Sequence, residues 1–459
     1  MFELRPYQRD AVDQIRAQFV AGHRNVLFVL STGGGKTRIF SHITEQAAER
    51  GNRVCVLVHR QELLRQASAS LHQMGVPHGL VAANLSMDLS QPVQVASVQT
   101  LARRLGKFPQ EFFQLLVVDE AHHSNAGTWA KVLEHFHRAR VLGVTATPCR
   151  CDGRGLGEWY GAMVQGPTAA WLTEQGYLAP AKVYAPPIGF DARQIRKRMG
   201  DFDMTQAAEQ LSGNQAVGDA LAHYRQHLDG KTAIAFCCSI AHAEGVARLF
   251  SDAGVSAASI DGTMDAATRE RLLTELGAGR LQVLTSCALI GEGVDVPSVA
   301  GCILLRPTQS VSLHLQMIGR CLRPQAGKQA VILDHVGNVL RLGHHLEVRE
   351  WSLEGVKKRQ RDSAPSVKVC PKCFAAMNSQ ARVCPECEHE FAPERRELRH
   401  VDGELVEVTK GIPRARFREQ GKAQTVEELI ALGHERGYKN PRAWAMKVMH
   451  GRLLRGAVA

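Results

Sequence analysis

The sequence predicts an α/β protein built from two parallel-sheet domains in tandem, followed by a small cysteine-bearing unit and a short helical region. Three observations lead to this prediction. Short apolar runs alternate with amphipathic stretches up to about residue 350, and the alternation lapses once, in the middle. Two Cys-x-x-Cys pairs follow near the C-terminus. The 459 residues are too many for one core, and a usual size of about 100–200 residues indicates roughly three domains.

The first predicted domain, residues 1–165, contains apolar runs that are typical of buried strands. Amphipathic segments such as TRIFSHITEQAAER separate them and read as helices. Strands that alternate with helices in this way favour a parallel sheet with crossover helices. The runs are NVLFVL (25–30), RVCVLV (53–58), VQVAS (93–97), LLVVD (115–119) and VLGVTAT (141–147).

The second predicted domain, residues 166–350, opens with a proline-rich and charged stretch before the same pattern resumes. A second α/β domain therefore follows the first, and a polar, basic linker at 351–366 ends it. The resumed runs are TAIAFC (232–237), SAASIDG (256–262), LQVLTS (281–286), VAGCILL (299–305) and QAVILD (329–334).

The cysteine pairs, Cys370 with Cys373 and Cys384 with Cys387, form a C-x2-C-x10-C-x2-C pattern. Four thiolates suit a tetrahedral structural Zn²⁺ site and leave no open position for catalysis. Two disulfides and an iron–sulfur cluster are the alternatives; a reduced compartment disfavours the first, whereas four cysteines suffice for the second. We predict a zinc ribbon at 367–393 and a basic region with two short helices at 394–459.

Composition indicates the kind of partner and the cellular compartment to expect for the protein. The net charge is +11, and residues 356–459 hold 21 basic against 13 acidic residues, an excess of eight. This basic region indicates an anionic partner such as nucleic acid, although a solvated surface is the alternative. No apolar run is long enough to span a membrane, and the charged N-terminus is not a secretory signal. The remaining eight cysteines lie singly or in apolar runs, so we expect a cytoplasmic, reduced chain.

The stretch LFVLSTGGGKTRIF is the strongest local signal of chemistry. An apolar run leads into Thr32 and the glycines 33–35 (Gly33, Gly34, Gly35), and Lys36 and Thr37 then open a helix. Glycines let backbone N–H groups surround phosphates, the lysine reaches the β- and γ-phosphates of ATP, and the threonine hydroxyl ligates Mg²⁺. The generic pattern has a further glycine where this chain has Leu30. We predict a phosphate-binding loop.

The stretch LLVVDEAHH places Asp119 and Glu120 at the end of a predicted strand. Ligands of open α/β sheets bind at the carboxyl ends of the strands. Asp119 is suited to hold Mg²⁺ through water, and Glu120 to orient the attacking water. The alternative for two such carboxylates is a helix-capping pair, which the phosphate-binding loop in the same domain disfavours.

The stretch QMIGRCLRP (316–324) spaces Gln316, Arg320 and Arg323 by four and three residues, which puts them on one helical face. Arginine is the planar, permanently charged donor that suits a transferring phosphoryl group. A solvated arginine face is the alternative. The apolar, glycine-containing context favours an active-site role.

In order, the phosphate loop, DEAH, TATP (145–148), GEGVD (291–295) and QMIGRCLR resemble the motifs of the superfamily 2 helicases and translocases, over about residues 2–345. That resemblance implies two RecA-like domains with ATP between them, and TAT as the link between ATP and nucleic acid. It also implies the remaining site residues: Gln8 and Arg5 at the adenine, His59, Arg60 and Gln99 on the nucleic acid, Gly293 and Asp295 near the ribose and phosphates, and Arg320 and Arg323 as arginine fingers.

A narrower resemblance is to the RadD-type bacterial and prophage helicases, which are linked to DNA repair. It is carried by LTEQGYLAPAKVY, LLRPTQSVSLHLQMIGRCLRP and VILDHVGNVLRLG, followed by the cysteine pairs. DEAHH differs from the DEAD-box RNA helicases and TAT from their SAT, which favours DNA. By resemblance the protein is a monomer, with a repair protein such as a single-strand-binding protein as its partner.

We therefore expect a nucleic-acid-dependent ATPase that acts on single-stranded or branched DNA in repair, recombination or replication-fork processing, with ATP, Mg²⁺ and Zn²⁺ as cofactors. An RNA-remodelling helicase shares the same ATP chemistry and is one alternative. A DNA-binding scaffold with little hydrolysis is another, although such a protein is expected to have lost Lys36, Glu120 or an arginine finger, and all are present.

Overall fold

The computed structural model describes residues 3–83, 85–123, 127–149, 154–185, 195–198, 201–211, 214–287, 298–355, 367–391, 423, 425–435 and 440–456. It divides into two compact units, Met1–Ala392 and Pro393–Ala459. Within the described ranges, no helix combines the length and the apolar content that crossing a membrane requires.

The first half of the larger unit contains strands that pair in parallel. They are β1 (Asn25–Val29), β2 (Val54–Val58), β3 (His78–Val81), β4 (Val93–Ser97), β5 (Leu115–Asp119), β6 (Arg140–Thr145) and β7 (Ala162–Gln165). Their order across the sheet is β3-β4-β2-β5-β6-β1-β7. Every residue of β2 and of β5 is buried, as expected for central parallel strands with both faces covered.

Helices cover this first sheet because their apolar residues recur at helical spacing. In the third of them Leu63, Leu64, Ala67 and Leu71 are buried along one face. The helices are α1 (Pro6–Val20), α2 (Lys36–Glu49), α3 (Gln61–Gln73), α4 (Val98–Arg103) and α5 (Gly127–His135).

The second half of the larger unit repeats the architecture. Its strands are β8 (Ala181–Tyr184), β9 (Lys197–Arg198), β10 (Asp201–Phe202), β11 (Ala233–Phe236), β12 (Ala257–Ile260), β13 (Val283–Ser286), β14 (Gly301–Leu304) and β15 (Ala330–Asp334). A parallel sheet has the order β12-β13-β11-β14-β15-β8, while β9 and β10 form a separate antiparallel hairpin. Two parallel-sheet domains in tandem confirm the predicted fold class.

The helices of this second half follow the same alternation. Serine and aspartate side chains cap several of their N-termini: Ser239, Asp265 and Ser310, for example, each accept a hydrogen bond from a backbone N–H of the first turn. The helices are α6 (Ala169–Glu174), α7 (Met204–Leu211), α8 (Asn214–Leu228), α9 (Ile240–Asp252), α10 (Ala266–Gly277), α11 (Val311–Gly319) and α12 (Asn338–Leu342).

Residues 343–355, here called the return segment, run from the second sheet back to the first. Trp351 and Leu353 pack against the core on one face of the first sheet. The backbone N–H of Gly157 donates to the Leu353 carbonyl at 2.8 Å. A Cβ atom at Gly155 would lie 2.0 Å from the same carbonyl oxygen, so this close approach requires glycine.

Residues 367–391, here called the cysteine ribbon, contain an antiparallel pair, β16 (Val367–Val369) and β17 (Ala376–Asn378). The ribbon lies against β8, the edge strand of the second sheet. The Ala185 N–H donates to the Phe374 carbonyl at 3.0 Å, and Lys182 pairs with Glu386. The smaller unit contains α13 (Val426–Glu435) and α14 (Pro441–Gly456), the two short helices that the sequence predicts.

Candidate active site

The phosphate-binding loop joins β1 to α2 and depends on its glycines. Gly33 and Gly35 have φ angles of 86° and 89°, a region that favours glycine. A Cβ atom at Gly35 would lie 2.4 Å from Nε2 of Gln8, and one at Gly34 would lie 2.8 Å from Cγ of Leu30. Side chains at these positions would therefore force the loop open.

Leu30 departs from the generic pattern, and the structure gives a reason why the departure is tolerated. Residue 30 contacts the loop through its backbone. Nζ of Lys36 donates a hydrogen bond to the Leu30 carbonyl at 3.2 Å. The Leu30 side chain is buried and lies against Gly34. Any residue supplies that carbonyl, so glycine is not required at this position.

Lys36 is the half-buried cation around which the other charged residues gather. Burial is the main cause that lowers the pKa of the Lys36 ammonium, and the carboxylates of Glu120 and Asp119 oppose it. The guanidinium groups of Arg320 and Arg323 lower this pKa further. The structure therefore brings together three cations and two carboxylates that are far apart in sequence.

Asp119 is the last residue of β5 and Glu120 follows it, and both are largely buried. The Glu120 N–H donates to Oδ1 of Asp119 at 3.0 Å, and Glu120 has a φ of 50°, a conformation that costs a non-glycine residue about 1–3 kcal/mol. His122 lies behind the carboxylate, with Nδ1 3.4 Å from Oε2 of Glu120 and 3.1 Å from Oγ1 of Thr145. The Glu120 carboxylate interacts electrostatically with the Lys36 ammonium.

The second domain reaches the Glu120 carboxylate through α11. Nε2 of Gln316 donates to Oε2 of Glu120 at 3.4 Å. Oγ1 of Thr147, in the TATP motif, donates to Oγ of Ser312 at 2.6 Å. The N-terminus of α11 thus contacts TATP, and its middle contacts the carboxylate. Sequence reasoning missed Ser312, since nothing in its local pattern indicates a contact 165 residues away.

Arg5 and Gln8 lie beside the phosphate-binding loop. The Arg5 N–H donates to Oε1 of Gln8 at 3.0 Å, and the Tyr7 hydroxyl donates to the Gly34 carbonyl at 2.7 Å. The Arg5 guanidinium lies 4.6 Å from the ring centroid of Tyr177, and Trp171 contacts Tyr7 edge-on at 5.8 Å. Sequence reasoning also missed these three aromatic residues, which come from two separate segments.

Thr37 is the second residue of α2, which places its side chain on the first turn after the loop. Gly293 and Asp295, the other predicted nucleotide contacts, lie outside the described residues. On the predicted nucleic-acid face, Nε2 of Gln99 donates to the His59 carbonyl at 3.1 Å, which joins the ends of β2 and β4. Arg60 follows directly and precedes α3.

The cysteine ribbon brings its four thiols together. The sulfur atoms of Cys370, Cys373, Cys384 and Cys387 all lie within 4.8 Å of one another. The Cys370–Cys387 and Cys373–Cys384 sulfur pairs are each 3.6 Å apart. Four sulfur donors at such spacing fit a tetrahedral Zn²⁺, with Zn–S bonds of about 2.3 Å. This group is the one such cluster found in the part of the chain that the structure describes.

Two family models match the chain in succession. Residues 1–150 match the res subunit of type III restriction enzymes, and residues 214–325 match the conserved C-terminal domain of helicases. Together they cover most strands of both parallel sheets and the motifs that form the site.

Relatives share most of the chain. A 51.5 kDa protein of a Lactococcus phage is 33% identical over 82% of this chain and 81% of its own length. IRC3 of Saccharomyces cerevisiae, which carries the name of an ATP-dependent helicase, is 31% identical over 73% of this chain. The EcoKI type I restriction endonuclease subunit of Escherichia coli is 25% identical over 71%. This chain spans 51% of the yeast protein and 34% of the EcoKI subunit.

Solved structures share the fold. A fragment of an HsdR-type subunit of a type I restriction enzyme from Vibrio vulnificus superposes with a TM-score of 0.58 at 22% identity, over 74% of this chain and 65% of the fragment. The ordered motifs, the domain matches and the closed site between two RecA-like sheets lead to one assignment: the chain belongs to the superfamily 2 helicases, which are ATP-dependent enzymes.

Proposed function

We propose that this protein is a DNA-dependent ATPase that moves along DNA or remodels it. The observation that carries the proposal is the contact of Gln316 with Glu120 across the two domains, beside Lys36 and its neighbouring arginines. A scaffold without hydrolysis has no need for this buried charge cluster. The EcoKI endonuclease subunit among the relatives supports DNA as the substrate, as does the fold shared with the restriction-modification enzyme LlaBIII, whose structure was solved bound to DNA.

We assign the roles around ATP as follows. Lys36 and the backbone N–H groups of residues 33–35 bind the β- and γ-phosphates, with Thr32 beside them. Thr37 and Asp119 hold Mg²⁺, which neutralises charge on the phosphates when it is bound. Arg5 and Gln8 bind the adenine, and Gly293 and Asp295 lie near the ribose.

The hydrolytic step is assigned to residues from both domains. Glu120 orients the attacking water and accepts its proton, and Gln316 holds the Glu120 carboxylate in place. Arg320 and Arg323 stabilise the negative charge that develops on the transferred phosphoryl group. Because these groups come from two domains, hydrolysis requires a closed cleft, and product release reopens it.

Each opening and closing would shift a strand that lies across both domains, with His59, Arg60 and Gln99 as its contacts in the first. We propose domain limits of 1–165 and 166–350, a linker at 351–366, the ribbon at 367–393 and the basic region at 394–459. In the ribbon, the four cysteines hold a structural Zn²⁺, which supplies folding energy that so small a unit lacks.

Within this family we propose a place among the RadD-type helicases, acting on single-stranded or branched DNA in repair, recombination or replication-fork processing. The motif likeness, together with the Cys-x-x-Cys pairs that follow the motifs, supports this placement. A cytoplasmic monomer that works with a single-strand-binding protein fits the same role.

The test is ATP hydrolysis by the full-length protein with single-stranded, duplex and branched DNA and with RNA. We expect DNA to stimulate the wild type, and Lys36→Ala and Glu120→Gln to lower turnover by at least about 100-fold. Glu120→Gln keeps its affinity for ATP, since the phosphate contacts remain. Glu134→Gln, an exposed carboxylate on α5, is the matched control and keeps full activity.

The outcomes separate the alternatives. Undiminished turnover in both active-site variants would remove the proposed mechanism. Stronger stimulation by RNA than by any DNA would favour an RNA-remodelling helicase instead. Tight DNA binding without stimulated hydrolysis in the wild type would favour a DNA-binding scaffold.

A further inference from the structure

An ion pair joins the two domains far from the ATP site. Nη1 of Arg269 lies 2.9 Å from Oε1 of Glu62, and both side chains are mostly covered, at 20% and 26% exposure. Glu62 lies in the first turn of α3, which follows β2, and Arg269 in the first turn of α10, which follows β12. The pair therefore connects the carboxyl edge of one sheet to that of the other.

The ion pair between Glu62 and Arg269 lies at strands of both sheets that are distant from the ATP site. β2 is three strands away from β1, which precedes the phosphate-binding loop, and β12 is three strands away from β14, which precedes α11. The contact of Gln316 with Glu120 thus bridges the cleft at one end, and the contact of Glu62 with Arg269 bridges it at the other. The second end is the one where His59 and Arg60 lie, ahead of α3.

Helix electrostatics indicate that Arg269 has a role outside its own helix. The N-terminus of a helix carries partial positive charge, so a carboxylate in the first turn is favourable and a guanidinium is unfavourable. Glu62 fits this rule, whereas Arg269 breaks it. The nearby Asp261 carboxylate already accepts hydrogen bonds from the Thr263 N–H at 2.7 Å and its hydroxyl at 2.6 Å. Asp261 contributes to compensating the charge of Arg269, but the direct ion pair of Arg269, at 2.9 Å, is with Glu62 on the other domain.

We propose that Glu62 and Arg269 are positioning residues that form a latch between the domains. The latch stabilises the closed arrangement in which Gln316 reaches Glu120, and it acts on hydrolysis only through that closure. This inference rests on the proposed ATPase function. Because both side chains keep some contact with solvent, loss of the pair should change the closed population by about two- to five-fold rather than abolish it.

The experiment compares four variants of the full-length protein: Glu62→Gln, Arg269→Gln, the charge swap Glu62→Arg with Arg269→Glu, and the control Arg271→Gln. Arg271 lies on the same helix but pairs with Glu275 within it, at 3.1 Å. We expect each single variant to lower DNA-stimulated turnover about two- to five-fold, and the swap to restore most of it. The control should keep wild-type turnover.

DNA affinity discriminates the latch from a direct phosphate contact by Arg269. A latch predicts that both single variants change DNA affinity in the same direction. Changes in DNA affinity of opposite sign would overturn the latch. If Arg269→Gln binds DNA more weakly and Glu62→Gln binds it more tightly, Arg269 contacts a DNA phosphate and does not act through Glu62. If the charge swap lowers turnover as much as the single variants do, and the Tm falls in all three, the pair only stabilises the fold and is not a latch.

Small-angle scattering with ATP reads domain closure without relying on hydrolysis. The single variants should have a larger radius of gyration than the wild type, and the swap should recover the wild-type value. If the wild type shows no DNA-stimulated turnover, the proposed function is wrong. The radii of gyration still test the latch in that case, because they do not depend on hydrolysis. Equal radii in the wild type and both single variants would overturn it.

Discussion

Gly319, the last residue of α11, approaches the phosphate-binding loop so closely that no other residue fits. A Cβ atom there would lie 2.4 Å from Cγ2 and 2.6 Å from Cβ of Thr32. Because Cβ of Thr32 is fixed to the backbone, a change of rotamer does not relieve the second contact. The closed position of Arg320, the next residue, therefore depends on the absence of a single methyl group.

We predict that Gly319→Ala holds the cleft slightly open and lowers DNA-stimulated turnover by roughly 100-fold, because a shift of about 1 Å is enough to misplace a catalytic group. ATP affinity changes little, since the loop itself is intact. The matched control is Gly245→Ala in α9, where a Cβ atom has nothing within 4 Å. Turnover within twofold of the wild type in Gly319→Ala would show that α11 does not close onto the loop as described.

Residues that carry their chemistry in a local pattern could be predicted from the sequence. The phosphate-binding loop, Asp119 with Glu120, and the cysteine quartet lie in short segments with characteristic spacing. Ser312 and Trp171 could not, because their importance depends on partners that only tertiary structure supplies. The strained φ of Glu120 is likewise a property of the fold that no spacing reveals.

At the level of elements, the cysteine ribbon covers the open edge of the second sheet. Beyond the contact of Ala185 with Phe374, Tyr184 forms an antiparallel bridge with Ala375 and packs against the cysteine cluster. The Tyr184 ring also stacks on His227 of α8, with ring centroids 4.0 Å apart. The ribbon therefore packs on the second domain, and β8 has a neighbour on both sides.

We predict that losing the metal weakens the second domain and not the ribbon alone. Chelation, or Cys384→Ser, should raise amide hydrogen exchange in β8 and lower the Tm by at least about 5 °C, equivalent to roughly 2 kcal/mol for a domain of this size. Val383→Ser, at an exposed ribbon position, is the control and should change neither. Unchanged exchange in β8 after chelation would mean that the ribbon folds independently of the sheet.

Elements with strong apolar patterns were predictable, and the weak ones were not. The central strands β2, β4 and β5 agree with the predicted runs to within one residue. By contrast, β3, β7 and β8 were missed: each has four residues, and each mixes polar with apolar side chains. Strands at or near the ends of a sheet bury less surface, so their sequences need less apolar content.

On the scale of the whole molecule, charge is concentrated at the C-terminal end. Residues 393–459 contain 14 basic and 9 acidic residues. Basic residues that neutralise phosphates release counterions, so affinity for DNA falls as salt rises, with a slope that counts the contacts. We therefore expect the basic region to contribute to affinity for any DNA sequence, while hydrolysis is assigned to the larger unit.

We predict that a chain ending at Ala392 binds DNA more weakly and with a flatter dependence on salt concentration, while its ATPase rate without DNA stays near that of the full-length protein. Titration of labelled single-stranded DNA at several salt concentrations gives both quantities. An unchanged salt slope would contradict a role in phosphate contact and would point to binding of a protein partner.

The return segment has a consequence for how the chain could be divided. The domains are joined by the peptide between β7 and β8 and a second time by Trp351 and Leu353, which pack on the first sheet. A single cut at the exposed turn around Gly176 therefore need not separate the halves. If the chain is produced as two separate polypeptides divided at this turn, we expect them to associate. Residues 343–355 of the second polypeptide would pack on the first sheet and hold the two together.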